Sequence, residues 1–320
     1  MDILVIVGPT AVGKTNYAIK KAIELDGEIV SADAMQVYKG LNIGSAKPDA
    51  FERSQAIHHL IDFVSPETDF SVAEYQKLAL DTIKKIDKRG KTPIIAGGTG
   101  LYINSIIYDM DFSNLPKIEK YRAELYAQAE VYGATFLHEK LKLLDEEAAA
   151  RIHPNNVKKV IRALEILENS KQAPAKSPAE SSEDGLDSLE LIGEKSSRRL
   201  RTFSESFKPR IGLNPTIIGL TRDRTELYAR IDRRVDTLME AGLVDEVEGL
   251  IKSGLSVGHI AMKGIGYKEL YGYFQEEYDL NHAVYLIKRN SRRYAKRQLT
   301  WFKRYDNIIW LNLSEQSDIK

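Results

Sequence analysis

Residues 3–15 read ILVIVGPTAVGKT, and this stretch decides the fold. The apolar run 3–7 predicts a short buried strand. Residues 8–15 match the phosphate-loop pattern G-x-x-x-x-G-K-[ST] at every fixed position, and a helical pattern follows them. Because this motif requires a strand before it and a helix after it, we predict a phosphate-binding loop made of Gly8, Pro9, Thr10, Ala11, Val12, Gly13, Lys14 and Thr15.

Anion binding is the chemistry that this loop predicts. Glycines at its two ends let the chain wrap an anion with backbone N–H groups, and the following helix directs its positive end to the same place. Lys14 adds a full positive charge, and the Thr15 hydroxyl can hold Mg²⁺. The motif therefore indicates polyphosphate binding but leaves open which polyphosphate is bound.

Strand and helix patterns alternate beyond the loop. Helical spacing at 14–25, 72–88 and 101–108 separates most of the apolar runs, which predicts an α/β fold with a P-loop NTPase-like parallel sheet flanked by helices. The predicted strands are 3–7, 28–31, 60–64, 92–96, 216–220 and 308–311.

The middle of the chain has a different character. Amphipathic helices are predicted one after another at 118–131, 134–144, 146–152 and 157–167, and a Ser- and Pro-rich segment at 170–208 predicts a loose loop. Long helices are predicted at 224–253 and 281–305. We therefore predict an α/β core at 1–113, an inserted all-helical domain with its loose segment at 114–206, and the rest of the core, with basic C-terminal helices, at 207–320.

Composition excludes several classes of function. The 46 basic residues balance the 46 acidic ones, so the whole chain carries no net charge that would attract nucleic acid. Cysteine is absent, which removes disulfides, thiolate nucleophiles and Cys-ligated metals, and the six histidines lack paired metal-ligand spacing. No signal peptide or membrane span is recognisable, so we expect a cytoplasmic protein, and nothing in the sequence requires more than a monomer.

The acidic residues near the loop are not those of a hydrolase. The strand at 92–96 ends in GGTG, without the Asp that usually holds the metal, and an NKxD motif is missing, so GTPase and ATPase functions are disfavoured. Instead, Asp33 follows the second strand. Ligands bind beyond the carboxyl ends of parallel strands, so Asp33 and Gln36 should face the same crevice as Lys14. Asp33 could cap a turn, bind a metal or act as a general base.

Six further blocks, in order behind GPTAVGKT, resemble the tRNA dimethylallyltransferase family, also called the tRNA isopentenyltransferase family. They are SADAMQVYKGLNIGSAKP at 31–48, HHLIDFVSP at 58–66, GGTGLYI at 97–103, RIHPNNVKKVIRALEI at 151–166, IGYKEL at 265–270 and AKRQLTWF at 295–302. The resemblance implies transfer of a dimethylallyl group from dimethylallyl diphosphate to N6 of the adenosine at tRNA position 37, with release of diphosphate. Its implied partners are the donor and the anticodon stem-loop, with Mg²⁺ as cofactor.

The resemblance also implies roles for single residues. Asp33 would be the general base, Thr99 would lie near the donor diphosphate and the target nucleotide, and Arg234, or alternatively Arg230, would contact the diphosphate. With Lys14, these make the implied catalytic set Asp33, Thr99, Arg234 and Lys14. The implied tRNA contacts are Asp33, Ala34, Met35, Gln36, Thr99, Arg122, Lys158, Lys159 and Arg162.

Basic residues near the C-terminus form a helical pattern of their own. They recur in pairs every four residues, which predicts one basic stripe, and phosphate contact by Arg292, Arg293 and Arg297 is the functional interpretation. A solvated helix face is the alternative interpretation. Two alternative functions also stand beside the prenyltransferase: an ATP-dependent kinase of small molecules or nucleosides, and an RNA-binding module without activity.

Overall fold

The computed structural model describes residues 1–110, 112, 119–172 and 202–315. The chain divides into two compact units, of which unit 1 comprises Met1–Asp109 with Leu200–Lys320 and unit 2 comprises Met110–Arg199. The predicted domain limits, at 113/114 and 206/207, stay predictions, and the first of them falls among residues 113–118, which lie outside the described residues.

Unit 1 contains a parallel sheet. Its strands within the described residues are β1 Asp2–Val7, β2 Gly27–Ser31, β3 His58–His59, β4 Thr92–Gly97, β5 Asn214–Thr221 and β6 Ile308–Asn312. Their order across the sheet is β3-β2-β4-β1-β5-β6, and every neighbouring pair is parallel. The central strand β1 is fully buried at Val5, Ile6 and Val7, as expected for a strand covered on both faces. This sheet confirms the predicted fold class.

Helices occupy most of the remaining described chain. They are α1 Lys14–Glu24, α2 Ala50–Gln55, α3 Val72–Lys88, α4 Gly100–Ile107, α5 Glu119–Tyr132, α6 Ala134–Leu144, α7 Glu146–Arg151, α8 Val157–Gln172, α9 Arg224–Glu240, α10 Leu243–Lys252, α11 Tyr267–Phe274 and α12 Leu280–Phe302. In unit 2, α5 to α8 surround their own apolar core, with Leu125, Leu137 and Leu164 fully buried.

One predicted strand is wrong. We predicted a strand at 60–64, whereas the strand there is His58–His59. Leu60 and Asp62 adopt the left-handed conformation, with φ of 60° and 62°, which no β-strand tolerates. After this turn Val64 is buried and makes a single parallel bridge to Tyr38. Apolar composition alone could not reveal this turn.

The predicted helix at 224–253 is two helices. Gly242 has a φ of 96° and separates α9 from α10. Glycine reaches this conformation without steric cost, so the chain turns there. We did not predict α2 or α11, both of which are short. In the described end of the predicted loose segment, Phe203 and Phe207 are buried.

Candidate functional site

The phosphate loop joins β1 to α1 at the carboxyl edge of the sheet. Gly13 caps α1 with a φ of 111°, a left-handed conformation that favours glycine. At Gly8 the loop approaches β5 so closely that a Cβ would lie 2.7 Å from the Leu220 carbonyl oxygen. Both fixed glycines of the motif are therefore required by the backbone itself.

Side chains from distant parts of the chain hold this loop. Arg222 Nε donates to the Val12 carbonyl at 3.0 Å, and Arg230 Nε donates to the Ala11 carbonyl at 3.1 Å. From α12, Gln298 Oε1 accepts the Thr10 N–H at 2.9 Å. These charge-assisted and amide hydrogen bonds fix the loop backbone before any anion binds.

Lys14 points into the same site. Its ammonium group donates to the Gly8 carbonyl at 2.9 Å and to the Pro9 carbonyl at 2.8 Å. Burial, assisted by the nearby positive charge of Arg234, lowers the pKa of Lys14 to about 8, and Asp33 opposes that shift. The cation is therefore poorly solvated, so a bound anion would stabilise its charged form.

A cavity of about 890 Å³ lies in front of the loop. It brings together most of the residues that the sequence analysis singled out. Those that line it are Thr10, Ala11, Gly13, Lys14, Thr15, Asp33, Ala34, Met35, Gln36, Thr99, Arg230, Arg234 and Arg297. Gly8, Pro9, Val12, Arg292 and Arg293 lie outside its lining, and Arg122, Lys158, Lys159 and Arg162 belong to unit 2.

Asp33 lies two residues after the end of β2 and is half-buried. Its Oδ1 accepts the N–H of Met35 at 2.9 Å and that of Gln36 at 3.4 Å, so one carboxylate oxygen caps a turn. Within the described residues Oδ2 has no hydrogen-bond donor. Asp33 is thus a turn cap through one oxygen and available for chemistry through the other.

Thr99 precedes α4 but does not cap it with its side chain. Instead, its Oγ1 accepts the Ala34 N–H at 3.0 Å, and its own N–H donates to the Ala32 carbonyl at 3.0 Å. Thr99 therefore connects the segment after β4 to the segment after β2, which carries Asp33.

Two arginines of α9 line the cavity in different ways. Arg230 donates through Nε to the phosphate loop, as described above. Arg234 makes no hydrogen bond within the described residues, and burial lowers its pKa although Asp33 and Glu52 oppose this. Both guanidinium groups line the cavity, and the whole guanidinium of Arg234 is without a hydrogen bond among the described residues.

The contribution of α12 to this site is not evident from the sequence. Gln298 is buried, and besides holding the loop it donates through Nε2 to the Gly98 carbonyl at 3.0 Å. Tyr294, one turn earlier, also lines the cavity, and burial raises its pKa. The block AKRQLTWF contained Gln298, but only the fold shows that this face of the helix reaches the phosphate loop.

The basic stripe of α12 divides into two parts. Lys288 and Arg292 form ion pairs with Asp236 and Asp232 of α9, so their charges are locally balanced. Arg293, Lys296 and Arg297 are exposed, and Arg297 stacks on the Tyr294 ring at 5.6 Å. The exposed part is the one that offers free positive charge.

The basic residues of unit 2 also differ from one another. Arg122 and Arg162 both donate to the buried Glu165 carboxylate, at 2.6 and 2.7 Å. Lys159 is buried, whereas Lys158 is exposed. Two guanidinium groups therefore share one buried carboxylate.

The cavity also has groups suited to Mg²⁺. Thr15 supplies a hydroxyl, and Asp33 and Glu52 supply carboxylates. Among the described residues there is no cluster of three or more His, Cys, Asp or Glu side chains that could hold a metal alone. This donor set fits an ion that keeps several waters and takes its other ligands from bound phosphates.

Comparisons with known proteins find similar sequences along nearly the whole chain. A family model described as IPP transferase matches residues 36–305. A tRNA dimethylallyltransferase of Alkaliphilus oremlandii is 48% identical over 312 residues, which are 98% of this chain and 91% of the relative. The one of Bacillus subtilis is 43% identical over 318 residues, 99% of this chain and 93% of the relative.

Solved structures give the same result. The full-length tRNA isopentenylpyrophosphate transferase of Bacillus halodurans is 41% identical, with a TM-score of 0.68, and the alignment covers 99% of this chain and 91% of that one. A eukaryotic dimethylallyltransferase acting on tRNA, at 24% identity and a TM-score of 0.76, shares the fold over 99% of this chain and 75% of that one. No helix in the described ranges combines the length and apolarity needed to cross a membrane.

Proposed function

Because this chain belongs to the IPP transferase family, we propose that it transfers a dimethylallyl group from dimethylallyl diphosphate to N6 of the adenosine at tRNA position 37, releasing diphosphate. The observation that carries the proposal is the cavity that combines a phosphate loop with Asp33 and Thr99. The relatives described above give no support to the kinase alternative.

Release of diphosphate is the first chemical task. As the bond between C1 of the donor and its diphosphate oxygen breaks, the electron pair leaves with the diphosphate, and negative charge grows there. The loop amides, Lys14 and Arg234 surround that position with fixed positive groups, which is the arrangement that stabilises a developing anion. Thr15 and the diphosphate oxygens would hold Mg²⁺, which supplies further positive charge when bound.

Attack by the purine amine is the second task. The N6 lone pair forms the new bond to C1, and the nitrogen must lose a proton. The free Oδ2 of Asp33 supports a role as the acceptor of that proton, while Oδ1 keeps the carboxylate oriented. Thr99 would position the Asp33 segment through Ala34.

The acceptor adenosine must reach this cavity from an anticodon loop. A stacked base cannot do so, and the enzyme must flip the nucleotide out. The segment of Ala34, Met35 and Gln36, the exposed basic residues of α12, and the basic residues Arg122, Lys158, Lys159 and Arg162 of unit 2 are proposed to contact the tRNA. The expectations of a cytoplasmic location and a monomeric state stay predictions.

Incubation of the purified chain with unmodified tRNA, Mg²⁺ and labelled dimethylallyl diphosphate tests the proposal. Nucleoside analysis should find the label on adenosine, whereas labelled ATP in place of the donor should leave no labelled product. Phosphoryl transfer to a small molecule, with no label in the tRNA, would favour the kinase instead.

Donor affinity should depend on pH through Lys14. With a pKa of about 8 in the free protein, Lys14 is charged below that pH and loses its proton above it, so affinity for the diphosphate should decline as pH rises above about 8. Calorimetric titration with the donor from pH 7 to 9.5 measures this decline. A Lys14→Arg variant, whose charge persists, should show a flatter profile, and an equally steep decline in both proteins would exclude Lys14 as the cause.

The exposed stripe of α12 should contribute to tRNA affinity. The double variant Arg293→Ala/Arg297→Ala should weaken binding and reduce the slope of log K against log salt by roughly 0.7 to 0.9 for each phosphate that the variant no longer neutralises. Filter binding across a salt series measures both. Lys84→Ala/Lys88→Ala removes two exposed charges, four residues apart, from α3 and is the matched control. Identical slopes in the two variants would favour a solvated helix face.

A further inference from the structure

One wall of the cavity is a loop of irregular backbone. Residues 42–47 read NIGSAK, and Gly44, Ser45, Ala46 and Lys47 line the cavity. Such a segment needs partners for its backbone N–H and C=O groups, because neither a helix nor a strand supplies them. The residues that supply these hydrogen bonds therefore determine the conformation of this part of the cavity wall.

A single carboxylate binds three consecutive amides of this loop. Glu246, on α10, accepts the N–H of Asn42 at 2.9 Å, of Ile43 at 2.8 Å and of Gly44 at 3.0 Å. Hydrogen bonds to an ionised acceptor are stronger than those between neutral groups. The carboxylate therefore fills a concave set of amides and fixes the loop backbone.

Tyr267, on α11, forms hydrogen bonds with both Glu246 and the loop. Its hydroxyl donates to Glu246 Oε1 at 2.8 Å and accepts the Ser45 N–H at 3.1 Å. The side chain is fully buried, and this burial raises the pKa of Tyr267, which keeps the hydroxyl protonated as a donor. A Cβ at Gly44 would lie 2.5 Å from the Tyr267 ring, so the loop packs directly on it.

The opposite side of the loop is connected to Asp33. Gln36 Nε2 donates to the carbonyls of Ser45 at 3.4 Å and Ala46 at 3.2 Å. The Gln36 N–H donates to Asp33 Oδ1 at 3.4 Å. Hydrogen bonds and short stretches of loop backbone thus run without a break from Glu246 to Asp33.

We propose that Glu246 is a positioning residue for the transfer reaction: it holds loop 42–47, and through it Gln36 and Asp33, in the conformation that receives the acceptor adenosine. The inference rests on the proposed function. It concerns the acceptor side of the cavity, because the hydrogen bonds of Glu246 lead to Gln36 and Asp33, whereas Lys14 is held by carbonyls of the phosphate loop itself.

Glu246→Ala tests the proposal, with Glu248→Ala as the matched control. Glu248 lies on the same helix and forms only a surface ion pair with Lys252 in the described chain. We expect Glu246→Ala to reduce kcat/KM for tRNA by about 10-fold to 100-fold, the effect of a small misplacement of reacting groups. The Kd of dimethylallyl diphosphate, measured without tRNA, should stay unchanged, and Glu248→Ala should resemble the wild type in both measurements.

Two milder variants cover a failure of Glu246→Ala to fold. Glu246→Gln keeps one oxygen acceptor, and Tyr267→Phe keeps the aromatic ring. Each should lower kcat/KM for tRNA less than Glu246→Ala does, and each should leave the Kd of dimethylallyl diphosphate unchanged. Equal losses of donor affinity and transfer, or kcat/KM values at the wild-type level in both milder variants, would overturn the proposal. A wild type that transferred no label to tRNA would refute the proposed function. A wild type that transferred label, with variants that gave either of the results above, would refute only the role of Glu246.

Discussion

Asp33→Asn should lower kcat for transfer by about 10²-fold to 10⁴-fold, the usual contribution of a general base. The amide keeps an oxygen that can accept the Met35 and Gln36 N–H groups, so the turn after β2 should persist. What it loses is the ability to accept the N6 proton. tRNA affinity should therefore remain close to that of the wild type.

Single-turnover transfer and tRNA filter binding measure these two quantities separately. Asp49→Asn is the matched control, because Asp49 also accepts a backbone N–H, that of Glu52, at a surface helix cap. Its transfer rate should equal that of the wild type. Parallel losses of rate and tRNA affinity in Asp33→Asn would show that Asp33 binds the RNA and does not act as the base.

Lys14→Ala should raise the Kd of dimethylallyl diphosphate by roughly 10-fold to 100-fold. This is the effect of removing a hydrogen bond to a charged group, worth about 1.5 to 3 kcal/mol. The effect on kcat should be at least as large, since charge on the leaving diphosphate grows in the transition state. Calorimetry with the donor and single-turnover transfer at saturating donor measure the two effects.

Lys20→Ala is the control for Lys14→Ala. Lys20 is an exposed lysine on the same helix, so it tests whether loss of any positive charge near the site weakens donor binding. Lys20→Ala should bind the donor as the wild type does. Unchanged donor affinity in Lys14→Ala would contradict the assignment of the phosphate loop to the prenyl diphosphate.

The phosphate loop and the parallel sheet could be predicted because their signals are local. The motif at 8–15 fixes the loop through the spacing of two glycines, a lysine and a threonine, and the buried strands read as continuous apolar runs. The turn at Leu60 and Asp62 was not predicted, because Asp62, the one residue type there that favours a positive φ, lies inside an apolar run. Gly242 was a visible signal for the break between α9 and α10, but the helical periodicity on both sides outweighed it.

Only those residues of the candidate site that belong to sequence motifs could be predicted. The expected positions of Asp33 and Gln36 follow from the rule that ligands bind at the carboxyl ends of strands, whereas that of Thr99 followed from the family resemblance. The contacts of Gln298 with the phosphate loop and of Glu246 with loop 42–47 join residues nearly 290 and just over 200 positions apart, and no sequence pattern encodes them. The pairing of Lys288 and Arg292 with α9 likewise requires knowing which helices are neighbours.

The most direct test compares two anticodon stem-loop RNAs that differ only at position 37, one carrying adenosine and the other guanosine, each with labelled dimethylallyl diphosphate and Mg²⁺. Mass spectrometry of the nucleosides should find the dimethylallyl group on N6 of adenosine 37 and no product from the guanosine RNA. Labelling of both RNAs, or consumption of ATP with no use of the five-carbon donor, would contradict the account.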